Sequence, residues 1–168
     1  YENDQLKEEG KYSLDNKEGI WRYYYKNGQP KKEGNYKEGR KEGVWKKYTY
    51  YDNGNIYEDW GYKDGYKDGV YKRYYKNGNI NVEGKYLFDN KEGIWRVSSE
   101  DGQPLSEMNY KDGKRHGLSK GYYEDGQLER EGNFKEGRSD GIWKYYYENG
   151  QLKEETNGLI PLLPGFLI

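Results

Sequence analysis

Aromatic and aliphatic residues occur along this chain in runs of about six to eight residues, which glycines interrupt at regular intervals. The clearest marker of each interval is a glycine followed two positions later by a Trp or its replacement. Six copies of this marker are present, spaced by 24, 26, 24, 24 and 24 residues: Gly19-Ile-Trp21, Gly43-Val-Trp45, Gly69-Val-Tyr71, Gly93-Ile-Trp95, Gly117-Leu-Ser119 and Gly141-Ile-Trp143. A fixed period in this range predicts a tandem-repeat architecture, in which stacked units bury a continuous core.

Two turn signals divide each unit into two strands. The first is Asn-Gly or Asp-Gly, as in Asn27-Gly28, a pair typical of a type I′ hairpin turn. The second is an acid and a glycine followed by charged residues and another glycine, and it centres a second turn on Gly39-Arg40. We therefore predict an all-β fold, an elongated antiparallel β-meander of roughly 12 or 13 strands built from hairpin repeats of about 24 residues.

The register of this meander follows from the turn centres, because opposite residues in a hairpin have numbers that sum to a constant. The first turn sets Arg22 opposite Glu33, and the second sets Glu33 opposite Lys46. Continued along the chain, this arithmetic predicts one ladder whose charge alternates at every strand: Glu9, Arg22, Glu33, Lys46, Asp59, Lys72, Glu83, Arg96, Glu107, Lys120, Glu131, Lys144 and Glu155.

The other face of the predicted sheet carries the aromatic residues, since successive side chains point to opposite faces. The Trp positions face glycines on the neighbouring strands, as Trp21 faces Gly34. Two exceptions are compensated by a smaller residue at the next Trp position: Trp60 replaces a glycine before Tyr71, and Met108 replaces a glycine before Ser119. Such compensation predicts steric contact between the two positions.

Two places depart from the repeat and are candidates for binding. The second unit has two extra residues between Trp45 and Gly54, which predict a bulge or a longer loop near Thr49 to Asp52. The fourth unit has Val97-Ser98-Ser99 where other units carry Tyr. The alternative interpretation is local drift within a repeat. The candidate interaction surface consists of Tyr23, Tyr25, Tyr50, Tyr51, Trp60, Ser98 and Ser99.

Composition excludes some partners. Hydrophobic residues make up 32% of the chain and charged residues 35%, a balance typical of disorder that 5 Trp and 22 Tyr offset with large buried faces. The formal net charge is −1, with the two signs mixed along the chain, so no net field attracts nucleic acid or an anionic membrane.

This sequence contains few of the residues on which enzyme active sites depend. There is no Cys, and the single His116 occupies a predicted turn position that elsewhere holds an acid. One His supplies neither a catalytic dyad nor a zinc site, and the glycine-rich turns lack the Gly-Lys-Ser/Thr of a phosphate-binding loop. We therefore predict no enzyme, no catalytic residues, no metal site and no cofactor.

The pattern Gly-x-Trp-Lys-x-Tyr-Tyr-x-Asn-Gly-Gln-Leu, nearly complete from Gly141 to Leu152, resembles the MORN repeat variant family. The resemblance covers residues 1–158. It implies a curled antiparallel sheet that serves as a bacterial scaffold, in a family whose members often carry the label of toxin–antitoxin system antitoxin. It transfers no catalytic residue, because the family motif is structural.

The expected function is therefore a non-catalytic scaffold for protein–protein interaction, antitoxin-like in its finer form, with a protein partner that the sequence does not name. The alternatives are an aromatic cage for choline or glucan of a cell wall, and a membrane-associated scaffold. The apolar tail 159–168 is expected to cap the array near Trp143 or to form a homodimer contact. The expected location is the bacterial cytoplasm, or outside the cell if a signal peptide preceded Tyr1.

Overall fold

A computed structural model describes residues 5–158, and these form a single antiparallel sheet in which every strand pairs with its neighbours in the chain. The predicted all-β meander is thus confirmed. The predicted cap, residues 159–168, lies outside the described residues. The 13 strands of the described part are β1 (Glu8–Ser13), β2 (Asn16–Tyr24), β3 (Pro30–Lys37), β4 (Arg40–Tyr50), β5 (Ile56–Lys63), β6 (Tyr66–Tyr74), β7 (Ile80–Leu87), β8 (Asn90–Ser98), β9 (Pro104–Lys111), β10 (Lys114–Tyr122), β11 (Leu128–Lys135), β12 (Arg138–Tyr146) and β13 (Leu152–Asn157).

The predicted charge ladder is present at every strand pair except one. Arg22 lies opposite both Glu9 and Glu33, and the alternation continues from Asp59 to Glu155. Between β4 and β5 the prediction was wrong, because Lys46 faces Gly61 and Asp59 faces Tyr48. The register there is displaced by two residues.

The cause of this displacement is the two-residue insertion, which lengthens β4 and not the loop that follows it. β4 has 11 residues, whereas most of the other even-numbered strands have nine. The turn after β4 keeps the hydrogen bonds of the other turns, with Tyr51 N donating to Asn55 O at 2.8 Å and Gly54 N to Tyr51 O at 3.1 Å. Of the two alternatives predicted near Thr49 to Asp52, the longer loop was therefore wrong. The pairing does shift between Thr49 and Tyr50, as at a bulge, but the other hairpins have the same shift at this place.

The type I′ turn predicted at the Asn-Gly and Asp-Gly pairs was wrong, because the type I′ turns lie at the second turn signal. At Asn27-Gly28 only Gly28 has a positive φ, of 83°, and Gly28 N donates to Tyr25 O, which describes a type I turn followed by a left-handed glycine. The type I′ turns are the other set: Glu38 and Gly39 both have positive φ, of 50° and 78°. The turn centre is thus Glu38-Gly39, one residue before the predicted one.

The predicted strand register is nevertheless correct, because a β-bulge compensates for the one-residue error in the turn centre. Gly43, the second glycine of the signal, is not in a turn but within β4, where its φ is 67° and the pairing shifts by two residues. In β10 the equivalent glycine is Gly117, and His116 directly precedes it within the strand, so the assignment of His116 to a turn was wrong. All six equivalent glycines have positive φ: Gly19, Gly43, Gly69, Gly93, Gly117 and Gly141.

The core is a single layer on the aromatic face of the sheet. Four of the five indoles lie flat against a glycine of the preceding strand, so that a Cβ on Gly84, for example, would overlap the ring of Trp95. The two predicted exceptions pair as expected, Trp60 with Tyr71 and Met108 with Ser119. The four core indoles are at most 3% exposed without any second layer of described residues: Trp21, Trp45, Trp95 and Trp143.

The opposite face carries the ladder and a row of exposed aliphatic side chains. Tyrosine hydroxyls donate to the ladder acids, as Tyr48 does to Glu33 at 2.9 Å and Tyr146 to Glu131 at 2.9 Å. In the described part of the chain no helix has the length and apolar character needed to span a membrane.

Candidate interaction surface

Five of the seven predicted interaction residues lie in the first two repeats, and the other two lie in the fourth repeat. Tyr25, Tyr50 and Tyr51 line one groove at the edge of the sheet where the three-residue turns lie. Tyr23 and Trp60 lie on the aromatic face, and Trp60 lines a second pocket there. The two remaining residues, Ser98 and Ser99, lie at the end of β8 and in the turn that follows it.

The first groove, which we call the turn groove, has a volume of about 950 Å³ and separates the turns of the first and second repeats. Its tyrosines are held in place by their neighbours. The rings of Tyr25 and Tyr50 meet edge to face at 6.2 Å, and the Tyr50 hydroxyl donates to Pro30 O at 2.9 Å. At Thr49, the Oγ1 atom is buried and has no hydrogen-bond partner among the described residues.

The tyrosine that opens each three-residue turn ties its repeat to the next one. The hydroxyl of Tyr25 donates to Tyr48 O at 3.2 Å, and that of Tyr51 to Tyr74 O at 2.7 Å. Tyr75 and Tyr123 make the same bond across the same 23 residues. Ser99 interrupts this row and uses its hydroxyl locally, accepting from Gln103 N at 3.0 Å. Tyr25 and Tyr51 therefore have a structural role in addition to lining the groove.

Cationic side chains cover the rings of the aromatic face. Lys17 Nζ lies 3.7 Å from the centroid of Trp21, Lys41 Nζ 4.8 Å from that of Trp45 and Lys91 Nζ 4.3 Å from that of Trp95. These positions follow from the repeat, since each cation is the second residue of its strand. Ring faces that would hold an external ammonium group are therefore already in contact with an ammonium group of the chain.

The second pocket is a concave part of the aromatic face with a volume of about 530 Å³, and we call it the lysine pocket. Lys47 Nζ lies 5.1 Å from the centroid of Trp60, the residue directly opposite it on β5. The register displacement at β4 creates this contact. The pocket is lined by Lys31, Lys32, Lys47, Trp60, Tyr62, Gly65, Lys67 and Asp89.

Two lysines of this face have opposite pKa shifts. Burial, together with the charges of Lys41, Lys31, Lys17 and Lys47, lowers the pKa of Lys32. For Lys17, burial acts in the same direction, but hydrogen bonds to Tyr23 and Glu8 outweigh it and raise the pKa. The difference is the pair of acceptors at Lys17 Nζ, the Tyr23 hydroxyl at 2.9 Å and the Glu8 carboxylate at 3.0 Å, which has no counterpart at Lys32 within residues 5–158.

The sequence prediction did not include the lysines of this pocket. Its own register arithmetic sets Lys32 opposite Lys47, and the structure has that pair. A comparison of the residues that face each other at this position in each repeat would therefore have identified the like-charge contact between Lys32 and Lys47. The contributions of Lys67 and Asp89 could not be found in this way, because they lie on different hairpins and depend on the path of the sheet.

No chemistry typical of a metal or catalytic centre is assembled in residues 5–158. No group of three His, Cys, Asp or Glu side chains there is placed to hold a metal ion. His116 Nδ1 lies 3.8 Å from Glu136, an exposed acid of the next turn, and the His116 side chain is 41% exposed. The absence of enzymatic activity remains a prediction.

Comparison with known proteins identifies the repeat. The model of the MORN repeat variant matches five segments, residues 17–38, 67–87, 91–112, 115–136 and 139–158, which together make up more than half of the chain. The longest segment without a match, residues 39–66, contains the register displacement and Trp60. No curated protein shows a significant match to the chain. The matched units recur with the hairpin period of the sheet, and the chain belongs to the MORN repeat variant family.

Proposed function

We propose that this protein is a non-catalytic scaffold that binds a partner protein on the aromatic face between β2 and β6. The observation that supports this most directly is that no second layer of described residues covers this face. Half-buried rings of Tyr23, Tyr36, Trp60 and Tyr62 lie there beside lysines. Aromatic residues are enriched at the centres of protein interfaces, where they supply most of the binding energy.

The charge of this face indicates the kind of partner. Lys32, Lys41 and Lys47 project there, and none of them forms an ion pair within residues 5–158. A partner with an acidic rim around an apolar centre would be complementary to it. The finer form of the proposal is that the partner is a toxin neutralised by binding, in keeping with the family resemblance.

The test compares two double variants in a capture experiment. Lys41→Glu with Lys47→Glu reverses charge on the aromatic face, whereas Lys46→Glu with Lys85→Glu makes the same change on the ladder face. We expect the unmodified chain and the control variant to capture the same protein from the native host, and the aromatic-face variant not to capture it. That protein, once purified, should also bind the unmodified chain directly. Equal capture by both variants would contradict the proposed face.

The aromatic-cage alternative makes a different prediction. If the rings bound choline, millimolar choline would change tryptophan fluorescence in a saturable way. Because chain lysines already cover Trp21, Trp45 and Trp95, we expect no saturable change. A saturable response that Trp60→Ala removes would support the cage instead of the scaffold.

A further inference from the structure

One row of the aromatic face can be compared across six repeats, because the same two positions face each other in each. In five repeats the facing pair is neutral, oppositely charged or a charged residue against a tyrosine. In the second repeat it is Lys32 against Lys47. The other five pairs are Glu8–Tyr23, Glu58–Arg73, Val82–Val97, Ser106–Gly121 and Arg130–Tyr145.

A like-charge pair directly across two strands destabilises a sheet. Within residues 5–158 neither Lys32 nor Lys47 forms an ion pair that would offset the repulsion. Each ammonium group lies beside a ring, with Lys32 Nζ 4.5 Å from the centroid of Tyr23 and Lys47 Nζ 5.1 Å from that of Trp60. The other repeats avoid such a like-charge pair in this row, and a local cost of this kind is typical of a functional site.

The surroundings add positive charge to this pair. Lys31 and Lys67 also line this pocket, so four lysines border a volume of about 530 Å³. The one acid of the lining is Asp89, whose Oδ1 accepts a hydrogen bond from Lys67 N at 2.6 Å and is thereby held at a turn. Burial and the neighbouring lysines also lower the pKa of Lys32, consistent with an uncompensated positive field.

We propose that the lysine pocket binds a small polyvalent anion of the phosphate class, with Lys32 and Lys47 as its central contacts and Lys31 and Lys67 at its rim. A lysine ammonium group binds phosphate as a compact point charge, and several of them together match an anion that carries more than one charge. Trp60 and Tyr62 form the apolar wall of the pocket. The pocket shares Lys32, Lys47, Trp60 and Tyr62 with the face proposed for the protein partner, but binding of a small anion is measured in the absence of that partner.

The first experiment titrates the purified chain with inorganic pyrophosphate at low and at moderate salt, by calorimetry and by thermal unfolding. We expect saturable binding and a higher melting temperature, because a ligand that binds only the folded state stabilises it. Lys47→Gln should weaken binding by about five- to tenfold. The matched control is Lys46→Gln, a neighbouring exposed lysine on the ladder face, for which we expect a change of less than about twofold.

Lys32→Glu separates the binding role from a structural one. It recreates at this position the acid–cation pairing of Glu58 with Arg73, so the melting temperature without ligand should rise. At the same time the stabilisation by pyrophosphate should disappear. A variant that is merely misfolded would lose stability, which circular dichroism and the melting curve would reveal.

Vesicles of phosphatidylcholine with phosphatidylserine distinguish two sources of the phosphate group. Binding of pyrophosphate alone indicates a soluble phosphate compound, and binding of both, each lost in Lys47→Gln, indicates a lipid headgroup in the same pocket. Three results would overturn the proposal: no saturable binding of pyrophosphate, equal losses with Lys46→Gln and Lys47→Gln, or binding to vesicles without binding of pyrophosphate.

Discussion

At the scale of single residues, this sheet is held together by indole rings that lie across glycines of the preceding strand. A Cβ on Gly132 would overlap the ring of Trp143, which is 1% exposed. Where the glycine is replaced by Met108, the facing position is Ser119, and both side chains are 1% exposed. The glycine and the tryptophan are thus one steric unit and not two separate preferences.

This unit predicts strong coupling in a double-mutant cycle. Gly132→Met should lower the free energy of unfolding by about 1–3 kcal/mol through overpacking, and Trp143→Ser by about 3–5 kcal/mol. The double variant copies the Met108–Ser119 pair, so it should be more stable than the sum of the two losses by about 0.5–3 kcal/mol. Urea melts measure all three variants. Additive losses would show that the two positions do not compensate each other.

A second residue-scale prediction concerns alkaline pH. Burial and the carboxylate of Asp59, to which the hydroxyl donates at 3.0 Å, raise the pKa of Tyr74 to about 12. The unfolded chain loses this proton near its ordinary pKa of about 10, before the folded chain does. The contribution of Tyr74 is therefore complete below about pH 10 and is lost as the pH rises to about 12.

Tyr74→Phe checks this expectation. The free energy of unfolding of the unmodified chain should fall between about pH 10 and 12, and the fall should be smaller in the variant. Part of the fall should remain, because burial also raises the pKa of Tyr48 and of Tyr71. An identical pH dependence in both proteins would exclude Tyr74 as a contributor.

At the scale of elements, the turns join the repeats as well as the strands within them. The hydroxyl of Tyr75 donates to Ser98 O at 3.0 Å in the next repeat. At the last three-residue turn, Tyr147 is 49% exposed, and its hydroxyl makes no hydrogen bond within residues 5–158. The same residue type at the same turn position thus has two environments.

This difference supplies a matched pair of variants. Tyr75→Phe should lower the free energy of unfolding by about 0.5–1.5 kcal/mol, the usual net contribution of one hydrogen bond. Tyr147→Phe should change it by less than about 0.5 kcal/mol. Thermal or urea unfolding measures both effects. Equal effects at the two positions would mean that the bond between repeats adds no stability.

The two-residue insertion in β4 and the replacement of a glycine by Trp60 are also structurally coupled. With two residues fewer, Trp45 would face Trp60, and Trp60 already faces Tyr71 on its other side. The insertion slides β5 by two residues, so that Trp45 faces Tyr62. The displaced register avoids three large rings in one row.

Deleting Lys47 and Tyr48 should therefore destabilise the protein, although it restores the 24-residue period. The same deletion combined with Trp60→Gly should recover part of the loss, because a glycine would again face Trp45. Circular dichroism melts of the two variants and of Trp60→Gly alone decide this. A deletion variant as stable as the unmodified chain would contradict the steric explanation.

At the scale of the whole molecule, stability is distributed along one dimension. Each strand pairs only with its chain neighbours, so the array depends on local units and on the interfaces between them. The two edge strands of the described sheet, β1 and β13, are six residues each and rich in charge, with sequences EEGKYS and LKEETN. Short, charged edges of this kind oppose pairing with other chains.

The prediction at this scale concerns the apolar tail, which lies outside the described residues. If residues 159–168 cap the array, their deletion should lower the melting temperature; if they join two copies, it should halve the sedimenting mass. The two measurements are made on the same pair of proteins. A deletion variant with unchanged melting temperature and mass would contradict both forms of the prediction.

The sequence by itself determined the period, the assignment of residues to the two faces and most of the strand register. These features follow from local rules: side chains alternate along a strand, and a row of glycines facing Trp or of acids facing bases constrains the pairing. The interrupted pattern also singled out Tyr25, Tyr50 and Tyr51, which line one groove, and their role in binding stays a prediction.

The tertiary structure alone decided the turn types, the bulge and the pocket. A turn at Glu38-Gly39 with a bulge at Gly43 gives the same residue sum as the predicted turn without a bulge, so register arithmetic cannot separate them. Whether two extra residues enter a loop or a strand depends on how Trp45 packs against β5. The lysine pocket depends on that same choice, because Lys47 meets Trp60 only in the displaced register.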